Sequence, residues 1–169
     1  PALLASYLAS MERLERQHRC HIVLVAGHWG EYGVFKELGV KMIYIIRDPF
    51  NSLISHSKPE RHQKDYLRRG LRDINSREWI DCYLEGPHHY WIHYAHSALE
   101  HEGAIIVRYD HFIEDWKQRV KGLPDITPWF TYHENDVKRV LTRESIYYIY
   151  GKTHHLCREL GINIEKYLV

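Results

Sequence analysis

The chain has 169 residues, of which 44% are hydrophobic and 27% charged, with a formal net charge of +1. That is one soluble domain with a real core, and its charge balance leaves no electrostatic footprint for a nucleic-acid polymer, although a few local cations would suffice for a small anionic ligand. Cys20, Cys82 and Cys157 are too scattered for a disulfide framework or a CxxC metal pair, and apolar runs of about six residues are too short to span a bilayer.

The sequence opens at Pro1 rather than Met and shows no signal peptide. A reducing, cytoplasmic setting is expected, with a lost upstream targeting segment as the alternative. Leu3, Leu4, Tyr7, Leu8, Met11 and Leu14 recur at helical spacing, which predicts an amphipathic helix over residues 2–17. His21–Ala26, Met42–Ile46 and Ala104–Val107 are short, nearly unbroken apolar runs. Such runs fit strands buried on both faces, hence a parallel sheet covered by helices and an α/β fold. Helices are expected over Asn75–Glu85 and His88–Glu102, separated by Gly86-Pro87, and over residues 110–121 and 134–159. The second half is therefore mostly helical.

Ligands of open α/β sheets bind beyond the carboxyl ends of the strands, so the residues that follow each strand come first. After the second strand stands Arg47-Asp48-Pro49. Asp48 suits a helix N-cap and Pro49 the first helical position. Arg47 then lies beside a helix N-terminus, where its planar guanidinium suits phosphate oxygens. Ser52 and Ser55 share a helix face, and a hydroxyl there could reach the same anion. The plainer alternative is that Arg47 pairs with a surface carboxylate and Asp48-Pro49 merely starts a helix. The first strand leads to His28, whose ordinary pKa suits a general base, or which simply caps a loop. The third leads to Tyr109, which faces a ligand or packs on the next helix.

The stretch Lys41–Ser57, KMIYIIRDPFNSLISHS, resembles the 3′-phosphate-binding motif of sulfotransferases: an apolar strand, Arg-Asp-Pro, then a Ser eight positions after the Arg, here 55 − 47 = 8. The resemblance covers residues 20–115, with a looser helical match beyond. It implies a single domain over residues 1–169 with a three-layer P-loop-like α/β fold, a central parallel sheet flanked by helices. It implies that Arg47 and Ser55 bind the 3′-phosphate of 3′-phosphoadenosine-5′-phosphosulfate, that Tyr109 lies near the adenine, and that His28 is the base, with Glu31 as its fallback. The partners implied are this nucleotide donor and a hydroxyl-bearing or amine acceptor. The residues that follow Tyr109 depart from the pattern in one respect, since Asp110-His111 replaces the family's acidic pair. Trp91 and Tyr94 fit the aromatic helix before the third strand, as core residues.

The family's glycine-rich 5′-phosphosulfate loop is not found. Pro1–His18 reads as the helix that would follow it, so the domain is expected to be N-terminally incomplete or to have lost the loop. The C-terminal Arg-Lys-Gly segment of the cytosolic branch is also absent, with Lys152 a weak stand-in. These absences keep open a non-catalytic nucleotide-binding or interaction domain. His89, His93 and His96 lie on one helix face, where imidazoles can bind Zn or Cu. A single helix rarely closes a tetrahedral site, so no metal is expected and the face reads as polar surface with Tyr90, Trp91 and Tyr94 turned inward. The basic stretch Arg61–Arg72 is a solvated loop or part of an acceptor-binding lid. A nucleotide kinase is disfavoured, since no Walker-type GK[ST] occurs.

Overall fold

The computed structural model describes residues 42–58, 66–86, 91–122 and 125–168. The helix expected over 2–17 and the strand expected over His21–Ala26 lie outside them. The described residues form a mixed α/β structure, mostly helical, with a small parallel sheet of two strands. Strand β1 (Ile43–Ile46) leads to α1 (Pro49–Ser57), and α2 (Arg77–Leu84) and α3 (Trp91–Glu100) precede β2 (Ile105–Arg108). A 3-10 turn, Tyr109–His111, runs into α4 (Phe112–Arg119); α5 (Val137–Val140) and the long α6 (Arg143–Glu159) follow, and a last 3-10 turn spans Glu165–Tyr167.

Both described strands fall within a residue of the apolar runs that predict them. They pair in parallel, with Ile43 opposite Ile105 and Ile46 opposite Arg108. Successive side chains of a strand point to opposite faces, and each face here has its own apolar cover. Tyr44, Ile46 and Ile106 join the larger core with helix residues such as Phe50, Leu53, Ala95 and Ile149. Ile43, Ile45, Ile105 and Val107 join a smaller core with Phe112, Trp116 and Val120. Cover on both faces is why neither strand shows a polar alternation in its sequence.

Helix α6 packs against α1, α2 and α3. It buries Ile146, Ile149, Thr153, Leu156 and Cys157 at helical spacing. Ile80, Leu84, Ile149 and Leu156, each under 2% exposed, contribute about 1.5–3 kcal/mol apiece through burial. The Thr153 hydroxyl in this apolar contact is satisfied by donating to the Ile149 carbonyl at 2.7 Å.

Residues 134–159 do not form the single helix expected from their pattern. Asp136 caps α5 by accepting from the Arg139 N–H, and Thr142 caps α6 by accepting from the Ser145 N–H. The break between them is bridged by Asn75, whose side chain accepts from the Thr142 N–H at 2.7 Å and donates to the Val140 carbonyl at 3.2 Å. Two capping residues and a distant amide outweigh a pattern that is continuous in sequence. The helix expected over Asn75–Glu85 likewise starts later, because Ser76 caps it.

The end of β2 is held by an ion pair. Arg108 donates to Asp115 from Nε at 2.8 Å, from Nη2 at 2.9 Å and from its backbone N–H at 2.9 Å. Its Nη1 reaches the Gly161 carbonyl at 3.1 Å. Gly161 ends α6 with φ of +69°, a left-handed conformation that favours glycine. Burial alone would raise the Asp115 carboxyl, but the Arg108 hydrogen bonds, with the charges of Arg108 and Arg119, outweigh it and hold the group below the usual carboxylate range. Its folded pKa therefore lies below an unfolded value near 3.9, so its stabilisation is complete above about pH 4 and is lost as pH falls through the folded value. Asp115→Ala is expected to cost about 3 kcal/mol at neutral pH in urea unfolding, and the difference between variant and wild type should shrink in the acid range.

Candidate functional site

Arg47 follows β1 directly, and its backbone is fixed from α3. The Trp91 indole N–H donates to the Arg47 carbonyl at 2.7 Å, and the Tyr94 hydroxyl donates to the Ile45 carbonyl at 3.4 Å. Trp91 and Tyr94 are thus packed in the core, as expected, and also secure the strand end. Asp48 caps α1 by accepting from the Asn51 N–H at 2.9 Å, with Pro49 as the first helical residue. Burial holds the Asp48 carboxyl above its usual range, against the lowering pull of its Asn51 hydrogen bonds and of the Lys166 and Arg47 charges.

The guanidinium of Arg47 turns along α1 and its Nη1 donates to Ser55 Oγ at 2.7 Å. Its Nη2 donates to the His133 carbonyl. Its carbon lies 4.6 Å from the centroid of the Tyr109 ring, a cation–π arrangement. Tyr109 is itself fixed edge-on against Phe130, with centroids 5.0 Å apart, and its hydroxyl reaches the Thr131 carbonyl at 3.5 Å. Arg47, Ser55 and Tyr109, three positions singled out in the sequence, therefore meet in one place. His28 and Glu31 lie outside the described residues.

Ser52 does not join them. It accepts from the Tyr83 hydroxyl at 2.5 Å, toward α2. Two residues on one face of a helix can still serve different neighbours, and here only Ser55 meets the guanidinium. Lys152, the weak stand-in for a C-terminal cation, is neutralised by Asp81 and Glu85, each at 2.9 Å, and links α6 to α2. His93 and His96 are exposed on α3, and no group of three or more His, Cys, Asp or Glu side chains is gathered for a metal among the described residues. Of the basic stretch, Arg68, Arg69 and Arg72 are exposed. A cleft of about 400 Å³ opens there between Ser57, Tyr66, Leu71, Arg72 and Trp79.

The segment over residues 131–136 has no regular structure and lies along α1. Asn135 carries most of that contact. Its backbone N–H donates to Asn51 Oδ1 at 2.6 Å, and its Nδ2 donates to Ser55 Oγ at 3.0 Å and to the Asn51 carbonyl at 3.2 Å. The Lys58 ammonium donates to Asn135 Oδ1. Asn51, wholly buried, also donates to Asp48 Oδ2 at 3.0 Å and to the Tyr167 hydroxyl oxygen at 2.8 Å. Sequence reasoning misses Asn51, Lys58 and Asn135. Their partners are remote in sequence, and an Asn inside a predicted helix carries no signal of its own.

The cluster is rich in donors and poor in acceptors. Among the described residues no carboxylate forms an ion pair with Arg47 or Lys58, and Arg47 Nε is buried with no hydrogen-bond partner. A buried N–H without an acceptor costs about 1–3 kcal/mol. A bound anion would recover that cost. No protein-family model matches the chain, and no curated protein or solved structure matches it.

The roles of Asn51 and Arg47 separate on stability. Asn51→Ala removes three hydrogen bonds from a sealed site and is expected to lower unfolding free energy by about 2–4 kcal/mol. Arg47→Ala removes a half-buried cation with no carboxylate paired to it among the described residues and is expected to change it by less than about 1 kcal/mol. Thermal and urea melts of the two variants measure the contrast.

Proposed function

We propose that this chain is part of a sulfotransferase that moves a sulfuryl group from 3′-phosphoadenosine-5′-phosphosulfate to a hydroxyl or amine acceptor. The observation that carries the reading is the meeting of Arg47, Ser55 and Tyr109 at the carboxyl end of β1. A guanidinium beside a helix N-terminus, backed by a hydroxyl, suits the nucleotide 3′-phosphate. The Tyr109 ring beside it suits the adenosine, because aromatic faces stack on bases. The fold that goes with this reading is a three-layer, P-loop-like α/β domain, of which β1 and β2 are two central strands.

The transfer itself is in-line. The acceptor's lone pair forms a bond to sulfur as the bond from sulfur to the bridging phosphate oxygen breaks, and the leaving oxygen keeps that electron pair. Adenosine 3′,5′-bisphosphate departs and the sulfuryl group ends on the acceptor. The acceptor's proton goes to His28 in this scheme, or to Glu31. Arg47 and Ser55 bind at the far end of the donor, so they hold it in place rather than share in the bond changes.

Calorimetry with adenosine 3′,5′-bisphosphate tests the binding half. Micromolar-range affinity is expected for the wild type, weakened at least about tenfold by Arg47→Ala. Labelled donor with a panel of phenol, sugar and peptide acceptors tests the chemistry, with transfer lost on His28→Ala. Nucleotide binding without transfer to any acceptor selects a non-catalytic nucleotide-binding domain instead. A wild-type protein that ignores the bisphosphate at millimolar concentration overturns the proposal.

A further inference from the structure

We infer that Lys58 and Asn135 belong to the anion site, and that the site is built for a phosphate monoester dianion held between two cations. The inference rests on the reading of Arg47 and Ser55 as the anion site, and adds the residues that set which anion it takes.

Hydrogen-bond bookkeeping at Ser55 carries it. A hydroxyl oxygen offers two lone pairs and one O–H. Arg47 Nη1 donates to Ser55 Oγ at 2.7 Å and Asn135 Nδ2 donates to it at 3.0 Å. The direction of the second bond is fixed, because Lys58 has only donors and therefore takes the amide oxygen, leaving Nδ2 for Ser55. Both lone pairs are used, so the O–H must point elsewhere. No hydrogen bond donated by this O–H is found among the described residues.

Two further donors face the same need. Arg47 Nε is buried without a partner, and the Lys58 ammonium has N–H groups beyond the one given to Asn135. A helix C-terminus by itself favours a cation at position 58, but this ammonium reaches across to residue 135 rather than folding onto the last carbonyls of α1. Lys58, Asn135, Ser55 and Arg47 thus form one chain, with a positive charge at each end and no carboxylate paired to either among the described residues. Two charges left in this state repel. A ligand with one negative charge offsets one of them, whereas a phosphate monoester carries about −1.5 to −2 near pH 7 and three acceptor oxygens. That matches the charge, and its oxygens, with several lone pairs each, can take all of the unmet donors.

The test is calorimetry at fixed ionic strength on wild type, Lys58→Met, Asn135→Ala and Arg47→Ala, with adenosine 3′,5′-bisphosphate, adenosine 5′-phosphate and inorganic phosphate as probes. Lys58→Met should weaken the bisphosphate about 5–20-fold and leave the 5′-phosphate within about twofold, with the melting temperature unchanged because the side chain is exposed. Asn135→Ala should move the bisphosphate in the same direction. A bisphosphate affinity untouched by Lys58→Met but lost with Arg47→Ala overturns this inference and leaves the proposed function standing. A wild type that ignores the bisphosphate yet binds inorganic phosphate, weakly and with dependence on Arg47 and Lys58, supports this inference and removes the sulfotransferase reading. Failure of every probe to bind the wild type removes both.

Discussion

A primary amide sealed from water must find partners for its N–H groups and its oxygen, or folding loses about 1–3 kcal/mol for each group left alone. Asn51 is fully buried, and it solves this with three separate pieces of chain: the Asp48 carboxylate at the start of its own helix, the Tyr167 hydroxyl near the C-terminus, and the backbone N–H of Asn135. The geometry of one amide therefore fixes where two remote segments lie against α1. Phe50 packs at a tilt against Tyr167 with centroids 4.8 Å apart, and Lys166 pairs with Glu134 at 3.0 Å, so the same two segments are also tied to each other. Once residue 135 is anchored beside residue 51, its side chain falls one turn further along the helix, on Ser55, and the His133 carbonyl falls on Arg47. The candidate site is a consequence of a buried structural node, not an independent feature.

What could be read from the sequence divides along the same line. The apolar strand, the Asp48 cap, Pro49 and the eight-residue spacing of Arg47 and Ser55 are local facts, governed by strand periodicity and helix geometry, and they appear in the structure where expected. The position of Tyr109 follows from a strand end, again local. Asn51, Lys58 and Asn135 have meaning only through partners tens of residues away, and no period or motif marks them. The same limit explains the misread helix over 134–159. Its apolar spacing is continuous, but the Asn75 side chain bridges a break that only tertiary contact can stabilise. Ser52 shows the reverse case: helical spacing places it with Ser55, and Tyr83 draws it to another neighbour.

Rigidity bears on how such a site could bind tightly. The backbone of Arg47 is held by Trp91, its hydrogen-bonding arms meet Ser55 and His133, and Tyr109 covers its flat face. All these partners are neutral. A guanidinium held by neutral groups has lost much of its rotamer freedom before any ligand arrives, yet keeps its full charge for that ligand. Binding sites gain affinity when this ordering is complete beforehand.

The fold also contains an internal control for the assignment. Arg108 ends β2 in register with Ile46, the residue just before Arg47, so two guanidiniums leave neighbouring strands at the same edge of the sheet. They are treated in opposite ways. Asp115, 2% exposed at its side chain, takes Arg108 in a two-pronged grip and pairs with Arg119 as well. Arg47 stands beside a helix N-terminus with no carboxylate paired to it among the described residues, and with one buried N–H unmet. If cations at this edge served only to fasten strands to helices, the economical solution is the one Arg108 displays, since an unpaired, partly buried charge is costly. At this sheet edge Arg108 is paired with a carboxylate of the chain itself, whereas no carboxylate is paired with Arg47 among the described residues.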